Sequence, residues 1–267
     1  MAAKKRVDVA LVERGLAQSR EKAQALVMSG VVYIGENKVT KASLTVEEGD
    51  ELIVRQTGTG YVSRGALKLE KGLKVFSVDP TGIVAMDLGA STGGFTDVLL
   101  QNGAAHVYAI DVGYGQLDWK IRNDERVVVM ERTNIRNVTP EDLGEPLDLS
   151  VVDVSFIGLE IVLPAIKNLL KQESGQVLCL IKPQFEAGKD NVGKKGVVRD
   201  PKIHQMVLDN FVALVHGLGF KILGLTFSPV KGPEGNIEFL GHLTLADVEG
   251  IAPDTADVVA QAHKTLD

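Results

Sequence analysis

The chain has 267 residues, 45% of them apolar, and a formal net charge of −6 at neutral pH. This length allows one large domain, or a medium domain with a small appendage, and the composition supplies a core. No apolar run reaches the ~18 residues of a membrane span, and no apolar segment follows the basic residues near the start, so we expect a cytoplasmic protein without membrane contact.

The first 56 residues show the pattern of a small α+β unit. Apolar residues repeat at helical spacing over 7–11, and Ser19 is placed to cap a second helix that ends before Gly30. Brief apolar runs typical of strands follow at 31–34 and 52–54.

Any RNA contact must use clustered basic residues, because the chain as a whole is mildly acidic. Four basic residues of the first unit are candidates that could share one side: Arg6, Arg20, Lys22 and Lys41. Neighbouring glutamates nearly balance them, so RNA binding and ordinary solvated charge both stay open from composition alone.

Residues 57–63 are typical of a linker, with glycine, threonine and no periodicity. Ser63 is then predicted to cap a helix over 64–76, whose apolar stripe includes Leu69 and Leu73. Lys68 lies off that stripe, so this segment alone indicates a lysine on the surface.

A strand, a glycine turn and a helix follow in the segment 83–102, which is typical of a nucleotide-binding α/β sheet. The glycines do not match the dinucleotide fingerprint, and Asp87 at the strand end would repel a pyrophosphate but attract a cationic group. Asp111 ends the next apolar run about 20 residues further on, where such sites place a carboxylate on ribose hydroxyls.

This layout predicts S-adenosylmethionine, with a tight turn that holds no ligand as the alternative. The residues expected to hold the cofactor are Asp87, Gly89, Ala90, Ser91, Thr92, Gly93, Gly94, Phe95, Asp111 and Val112. A later loop with Asn134 and Ile135 is expected to bracket the adenine.

Beyond the glycine turn, strands and helices alternate, with further strands expected at 127–130, 147–152 and 177–181. The last two strands, 220–227 and 237–245, are too close in sequence for a crossover and should pair antiparallel. We therefore predict a Rossmann-like α/β fold: a mostly parallel, seven-stranded, doubly wound sheet. Cys179, the single cysteine, lies within one of these runs and indicates neither a disulfide nor a zinc site.

Charged residues stand at the ends of several predicted strands. Asp153 and Lys182 end two successive apolar runs, and Glu238 opens the last, antiparallel one. Ligands bind such sheets at the carboxyl ends of the parallel strands, so these residues should lie together with Lys68 reaching in from the side.

Lys68, Asp153, Lys182 and Glu238 match the Lys-Asp-Lys-Glu tetrad of the FtsJ-like ribose 2′-O-methyltransferases. The sequence motifs around them resemble those of the TlyA (haemolysin A) family. Examples are Asp-Leu-Gly-Ala-Ser-Thr-Gly-Gly-Phe-Thr at 87–96 and Lys-Pro-Gln-Phe-Glu at 182–186. Segments around 6–8, 19–23 and 30–35 are similar to a small RNA-binding domain shared by pseudouridine synthases, tyrosyl-tRNA synthetases and a small-subunit ribosomal protein.

The resemblance implies an S-adenosylmethionine-dependent methyltransferase that acts on cytidine ribose in ribosomal RNA of a ribosomal subunit, with no metal required. It implies an RNA-binding domain over 1–56, a linker over 57–63, a methyltransferase domain over 64–246 and a tail over 247–267. We expect Lys182 to act as the base, Lys68 to adjust its charge state, and the two carboxylates to hold the lysines in place. Further RNA contacts are expected from Arg64, Lys189, Lys194 and Lys195.

Three alternatives remain open at this stage. A haemolysin that forms pores would need membrane-active segments, which the sequence does not show. A non-catalytic RNA-binding protein would have no need for a complete tetrad, and a small-molecule methyltransferase would have no need for the N-terminal unit.

Overall fold

The computed structural model describes residues 4–17, 19–28, 30–35, 37–47, 49–54, 60–193 and 195–266. The chain divides into two compact units, Met1–Tyr61 and Val62–Asp267. The expected boundary at residue 56 and linker positions 57–59 lie outside the described residues, as does Lys194. Among the described residues, no helix has both the length and the apolar character needed to cross a membrane.

The N-terminal unit packs two helices with short strands around a small apolar core. Its elements are β1 (Lys5–Arg6), α1 (Val7–Glu13), α2 (Arg20–Met28), β2 (Val32–Ile34), β3 (Asn37–Lys38), β4 (Thr45–Val46) and β5 (Leu52–Val54). Strands β1 and β4 form one antiparallel pair, and β3, β2 and β5 form a second sheet. The core includes Val7, Leu11, Val27 and Val32, and the hydroxyl of Ser19 accepts a hydrogen bond from the backbone N–H of Lys22, as a helix cap does.

The C-terminal unit is built on one seven-stranded sheet with the order β11-β12-β10-β9-β6-β7-β8. Its strands are β6 (Val84–Leu88), β7 (His106–Ile110), β8 (Val127–Met130), β9 (Leu149–Val152), β10 (Gln176–Ile181), β11 (Lys221–Phe227) and β12 (Phe239–Thr244). All pairs are parallel except those of β12, which is antiparallel to both of its neighbours. The predicted mostly parallel sheet and the antiparallel final pair are confirmed.

Helices cover both faces of this sheet, as expected for a doubly wound fold. They are α3 (Ala66–Phe76), α4 (Gly94–Gln101), α5 (Trp119–Arg122), α6 (Pro140–Leu143), α7 (Leu159–Leu169), α8 (Pro183–Glu186), α9 (Pro201–Gly217) and α10 (Thr255–Leu266). Gly72 of α3 approaches Leu178 and Leu240 on one face, whereas Phe211 of α9 packs near Gly241 on the other.

The strand order places a switch point at β6. The chain runs from β6 outward to β7 and β8 on one side, and then returns to β9 on the other side of β6. A crevice forms where the order reverses, at the carboxyl ends of the strands, and ligands of such sheets bind there.

Two local predictions are wrong. The helix expected from residue 64 begins at Ala66 with Gly65 at its N-cap, and no side chain caps it, so Ser63 is not a helix cap. Asp87 does not end its strand but lies inside β6, because the backbone pairing with β7 continues through Leu88.

Candidate active site

The structure brings the four residues of the predicted tetrad together at the carboxyl edge of the sheet. Lys68 lies on α3, while Asp153 and Lys182 directly follow β9 and β10. Glu238 directly precedes β12, and because β12 is antiparallel its start lies at the same edge. Four distant segments of the chain thus converge on one cluster.

Within this cluster, cations and anions alternate. The Nζ atom of Lys182 lies 2.5 Å from Oδ1 of Asp153, and the Nζ atom of Lys68 lies 2.5 Å from Oε2 of Glu238. The other oxygen of Asp153, Oδ2, is 3.9 Å from Nζ of Lys68 and links the two pairs.

The two lysines are both buried, with 7% of each residue exposed, and Glu238 is 1% exposed. The interpretation of Lys68 as a surface lysine is therefore wrong. Charges removed from water in this way require close partners of opposite sign, which the cluster provides. Two ammonium and two carboxylate groups leave it close to neutral.

Two further side chains contact the tetrad and were not singled out from the sequence. The Nζ atom of Lys182 lies 3.2 Å from Oγ of Ser155, and Nε2 of Gln184 lies 3.4 Å from Oε1 of Glu238. Ser155 and Gln184 each stand two residues after a tetrad member, so the sequence motifs that contain Asp153 and Lys182 could have indicated them.

A pocket of about 500 Å³ opens beside the tetrad, lined by Phe156, Ile157, Gly158, Gln184, Phe185, Gly188, Lys189 and Val192. The rings of Phe156 and Phe185 have centroids 5.1 Å apart, and Nζ of Lys182 is 5.8 Å from the Phe185 centroid. The pocket therefore combines aromatic faces with a charged edge.

Phe156 is unusual among these residues in both exposure and backbone conformation. It is 91% exposed, and its φ angle of +65° is rare for a bulky side chain. An exposed aromatic ring held by a strained backbone is a feature that folding does not require, and it favours a function in ligand contact.

The glycine turn between β6 and α4 lies next to the tetrad. Gly89 has a φ angle of +83°, and a Cβ atom there would lie 2.5 Å from the carbonyl oxygen of Asp153. Only glycine allows the two segments to approach so closely. Gly93 has a φ angle of +93°, a left-handed conformation that also favours glycine.

Asp87 is fully buried beneath this turn. Its Oδ2 atom accepts hydrogen bonds from the backbone N–H of Thr96 at 2.8 Å and from the hydroxyl of Thr96 at 2.7 Å. Burial, with a smaller contribution from the charges of Asp153 and Asp111, raises the pKa of Asp87 to about 7 against the opposing effect of the two hydrogen bonds. Its other oxygen, Oδ1, is shielded from solvent and pairs with no group among the described residues.

Asp111 follows β7 and organises the adjoining loops. Its Oδ2 atom accepts from the N–H of Ser91 and its Oδ1 atom from the N–H of Gly113, both at 2.7 Å. Each oxygen keeps a second lone pair that can accept a hydrogen bond from a hydroxyl group. Val112 beside it is 73% exposed, so its apolar side chain faces solvent at this edge.

These residues fit S-adenosylmethionine. Asp87 and Asp111 stand at or near the ends of the adjacent strands β6 and β7, and the carboxylate of Asp111 favours a cationic ligand in this crevice. The unpaired buried oxygen of Asp87 adds an acceptor, and the glycine turn removes side chains from the approach. Asp111 offers the acceptors that ribose hydroxyls need.

The remaining residues predicted to hold the cofactor differ in their exposure to solvent. Ser91 and Thr92 are exposed, whereas Ala90, Gly93, Gly94 and Phe95 are buried. The side chain of Phe95 belongs to the interior, so it offers a ligand nothing from that position. Ile135 is likewise in the core, and the Asn134 side chain accepts a hydrogen bond from the N–H of Arg136.

In the N-terminal unit, two predicted RNA-binding arginines share one buried carboxylate. Arg6 donates two hydrogen bonds to Asp8, at 2.9 and 2.8 Å, and Arg20 donates one at 3.2 Å. Gln24 donates another at 3.0 Å. The Arg6 guanidinium, helped by Gln24 and Arg20, holds the pKa of Asp8 well below its usual range against the effect of burial. On the same unit, Lys41 is exposed and Lys22 is half-buried.

The other predicted RNA contacts belong to the C-terminal unit. Arg64, Lys189 and Lys195 are all exposed. The loop that carries Lys195 is fixed by Asn236, which is 1% exposed. Asn236 accepts a hydrogen bond from the N–H of Val198 and donates one to the carbonyl of Gly196, both at 2.9 Å.

Comparison with known proteins identifies relatives over nearly the whole chain. The FtsJ-like methyltransferase family model matches residues 61–245, and the S4 domain model matches residues 5–52. An rRNA methyltransferase candidate of Bacillus subtilis, YqxC, is 49% identical over 98% of this chain and 95% of its own. The 16S/23S rRNA (cytidine-2′-O)-methyltransferase TlyA of Mycobacterium tuberculosis is 46% identical over 98% of both chains. A solved structure from Streptococcus thermophilus, described as a candidate hemolysin, matches with a TM-score of 0.78 and 45% identity over 99% of this chain and 98% of that one.

Proposed function

The chain belongs to the FtsJ-like methyltransferase family and carries an S4 domain, and we propose that it methylates the 2′-hydroxyl of cytidine in ribosomal RNA with S-adenosylmethionine. The observation that carries this proposal is the buried cluster of Lys182, Asp153, Lys68 and Glu238. The similarity to a TlyA enzyme named for this reaction supports it.

Lys182 is the proposed base. A ribose hydroxyl is a weak nucleophile, so a group must accept its proton as the new bond to carbon forms. The Nζ atom of Lys182 lies 5.8 Å from the ring centroid of Phe185, which lines the pocket, and Asp153 and Ser155 fix its position. A lysine can accept a proton only when neutral, so this role requires Lys182 to give up its own proton before the methyl group is transferred.

The other three tetrad residues hold Lys182 in position. Glu238 holds Lys68, and the two oxygens of Asp153 face one lysine each, so the proton accepted by Lys182 completes a balance of two cations and two anions. Such preorganisation avoids rearrangement of the site during the reaction.

The cofactor is expected to lie over the glycine turn, against Asp87 and Asp111. When bound, S-adenosylmethionine supplies an electrophilic methyl group on a cationic sulfur. Asp111 would accept hydrogen bonds from its ribose hydroxyls, and the ionised form of Asp87 would favour its cationic end. Gly89 and Gly93 keep the turn free of side chains at this point.

Recognition of the RNA would use both units. The S4 domain would contribute the Arg6–Arg20 pair with Lys22 and Lys41, and the C-terminal unit would contribute Arg64, Lys189 and Lys195, of which Lys189 lines the pocket. These cations would bind phosphates and position the strand, while the pocket holds the nucleotide. The substrate would be a ribosomal subunit or its RNA, which implies action in the cytoplasm.

The test combines one variant with mapping of the modified nucleotide. Ribosomal RNA from cells with and without this protein is compared by mass spectrometry, and subunits from the deficient cells are then methylated with purified enzyme. Lys182→Ala is expected to slow methyl transfer by about 10²–10⁴-fold, the contribution typical of a general base, and to keep cofactor affinity. Lys74→Ala, an exposed lysine on the same helix as Lys68, is the control and should retain full activity.

Two outcomes would contradict the proposal. If the two RNA samples carry identical modifications, the protein does not methylate ribosomal RNA. If Lys182→Ala methylates at the wild-type rate, the reaction uses another base.

A further inference from the structure

Gln184 holds an acceptor atom that nothing in the described protein uses. Its Nε2 atom lies 3.4 Å from Oε1 of Glu238, and its Oε1 atom is shielded from solvent without a hydrogen-bond partner among the described residues. An acceptor left in this way costs free energy, so its retention at a site is informative.

The orientation of this amide follows from chemistry. Glu238 is the close partner of the Lys68 ammonium through Oε2, and a carboxylate can only accept hydrogen bonds. The NH₂ group of Gln184 must therefore face Oε1 of Glu238, since the opposite orientation would set two acceptors against each other. The carbonyl oxygen of Gln184 is thus the atom left without a partner.

Gln184 also belongs to the wall of the aromatic pocket. In the chain it stands two residues after Lys182, the proposed base, and directly before Phe185, whose ring is close to that of Phe156. A nucleotide with its 2′-hydroxyl at Lys182 would direct its base into this pocket, where aromatic rings offer faces for stacking. The volume of about 500 Å³ accommodates a pyrimidine.

We propose that the carbonyl oxygen of Gln184 accepts a hydrogen bond from the 4-amino group of the target base and so selects cytidine over uridine. Cytosine carries an NH₂ donor at C4, whereas uracil carries a carbonyl acceptor at the same position. An acceptor fixed by Glu238 pairs with the first and repels the second. This inference rests on the proposed function and adds to it the residue that distinguishes the two pyrimidines.

The arrangement requires a small adjustment when the base enters. Because Oε1 of Gln184 is shielded, a neighbouring side chain must move before the amino group can reach it. Phe156 is 91% exposed and has little packing to lose. The 4-amino group of cytosine then pairs with the oxygen of Gln184 and removes the free-energy cost of leaving that acceptor unpaired. Uracil has no donor at this position and cannot do so.

The experiment measures base preference rather than activity alone. Subunits from cells that lack this protein are prepared with the mapped target as C or changed to U, and single-turnover methyl transfer is measured on each. The wild-type enzyme should prefer C by about 10- to 100-fold, the discrimination expected from such a contact. Gln184→Met, which keeps the length but not the acceptor, should bring the C-to-U ratio to within a fewfold of one, mainly by slower reaction on C.

The control is Gln261→Met, an exposed glutamine on α10, which should keep the wild-type ratio. Cofactor affinity and thermal unfolding of both variants show whether the fold is preserved.

Three results would overturn the inference. A wild-type enzyme that methylates C and U equally excludes it without any variant. A folded Gln184→Met enzyme with an unchanged ratio also excludes it, while the proposed function stands. Absence of methylation on any subunit refutes the proposed function itself, and the inference with it.

Discussion

Both units of this chain place a carboxylate between two cations, but the exposure of the cations differs. In the N-terminal unit, Asp8 is buried while the side chains of Arg6 and Arg20 are 46% and 57% exposed. In the C-terminal unit, Asp153 links Lys68 and Lys182, whose side chains are only 8% and 9% exposed. One cluster holds its cations toward solvent, and the other keeps them away from it.

This difference in exposure matches the two roles that we propose: RNA binding for the arginines and proton transfer for the lysines. Guanidinium groups stay charged at all relevant pH values and match phosphate geometry, so exposed arginines in a fixed fork suit an RNA backbone. Ammonium groups can lose their proton when removed from water, so buried lysines suit proton transfer. We therefore propose that the same charge pattern serves two purposes, and that residue type and burial decide which.

The largest expected effect comes from breaking the buried cluster. Glu238→Ala leaves the Lys68 ammonium buried without its partner at 2.5 Å, which should lower the free energy of unfolding by about 3–5 kcal/mol. Urea denaturation followed by the fluorescence of the single tryptophan, Trp119, reports on the C-terminal unit. The double variant Lys68→Met/Glu238→Leu should regain most of the stability and no methyl transfer. Equal losses in the single and double variants would show that the charge pair is not the cause.

A smaller effect is expected from His242, which is buried and forms no ion pair with any residue that the structure describes. Burial lowers its pKa to about 4, and its Nε2 atom lies 2.7 Å from Oε1 of Gln176. Because the folded-state pKa is below the ordinary value of 6.5, the stabilising contribution is complete above pH 6.5 and is lost as pH falls toward 4.

The corresponding measurement is the free energy of unfolding between pH 7.5 and pH 4.5. Wild type should lose about 1–3 kcal/mol more over this range than His242→Gln, whose side chain does not titrate. Parallel curves for the two proteins would mean that His242 is solvated in the folded state.

The smallest effect is expected at the exposed cluster. Asp8→Asn changes the local charge from one net positive to two and releases Arg6 and Arg20 from their common partner. The dependence of RNA affinity on salt should become steeper by about one unit of slope, because one more counterion is displaced. Filter binding of ribosomal RNA over a salt series measures this, with Glu13→Gln, an exposed acid on the same unit, as the control. A shallower slope would show that Asp8 is needed to present the arginines at all.

Sequence reasoning predicted the framework of the site because each strand was a short apolar run with a distinct residue after it. The positions of Asp111, Asp153 and Lys182 follow from this pattern alone, and the antiparallel last pair follows from the short connection between β11 and β12. Sheet order then brings residues together that are far apart in the chain.

Other features depend on packing that a sequence pattern does not contain. Lys68 lies off the apolar stripe of α3, and only the docking of that helix against β12 buries it. Asp87 was expected at a strand end, but pairing with β7 extends β6 through it. The contacts of Ser155 and Gln184 depend on where the loops after β9 and β10 turn, and local spacing does not set this.

The close approach of Gly89 to Asp153 has a consequence for engineering this enzyme. Main-chain atoms, and not rotatable side chains, set the separation between the cofactor turn and the residue that holds the base. Even the smallest side chain at position 89 would therefore disturb both halves of the reaction centre at once. Attempts to make the enzyme accept altered methyl donors should begin at exposed positions such as Thr92, where a larger side chain leaves the spacing of the two backbone segments unchanged.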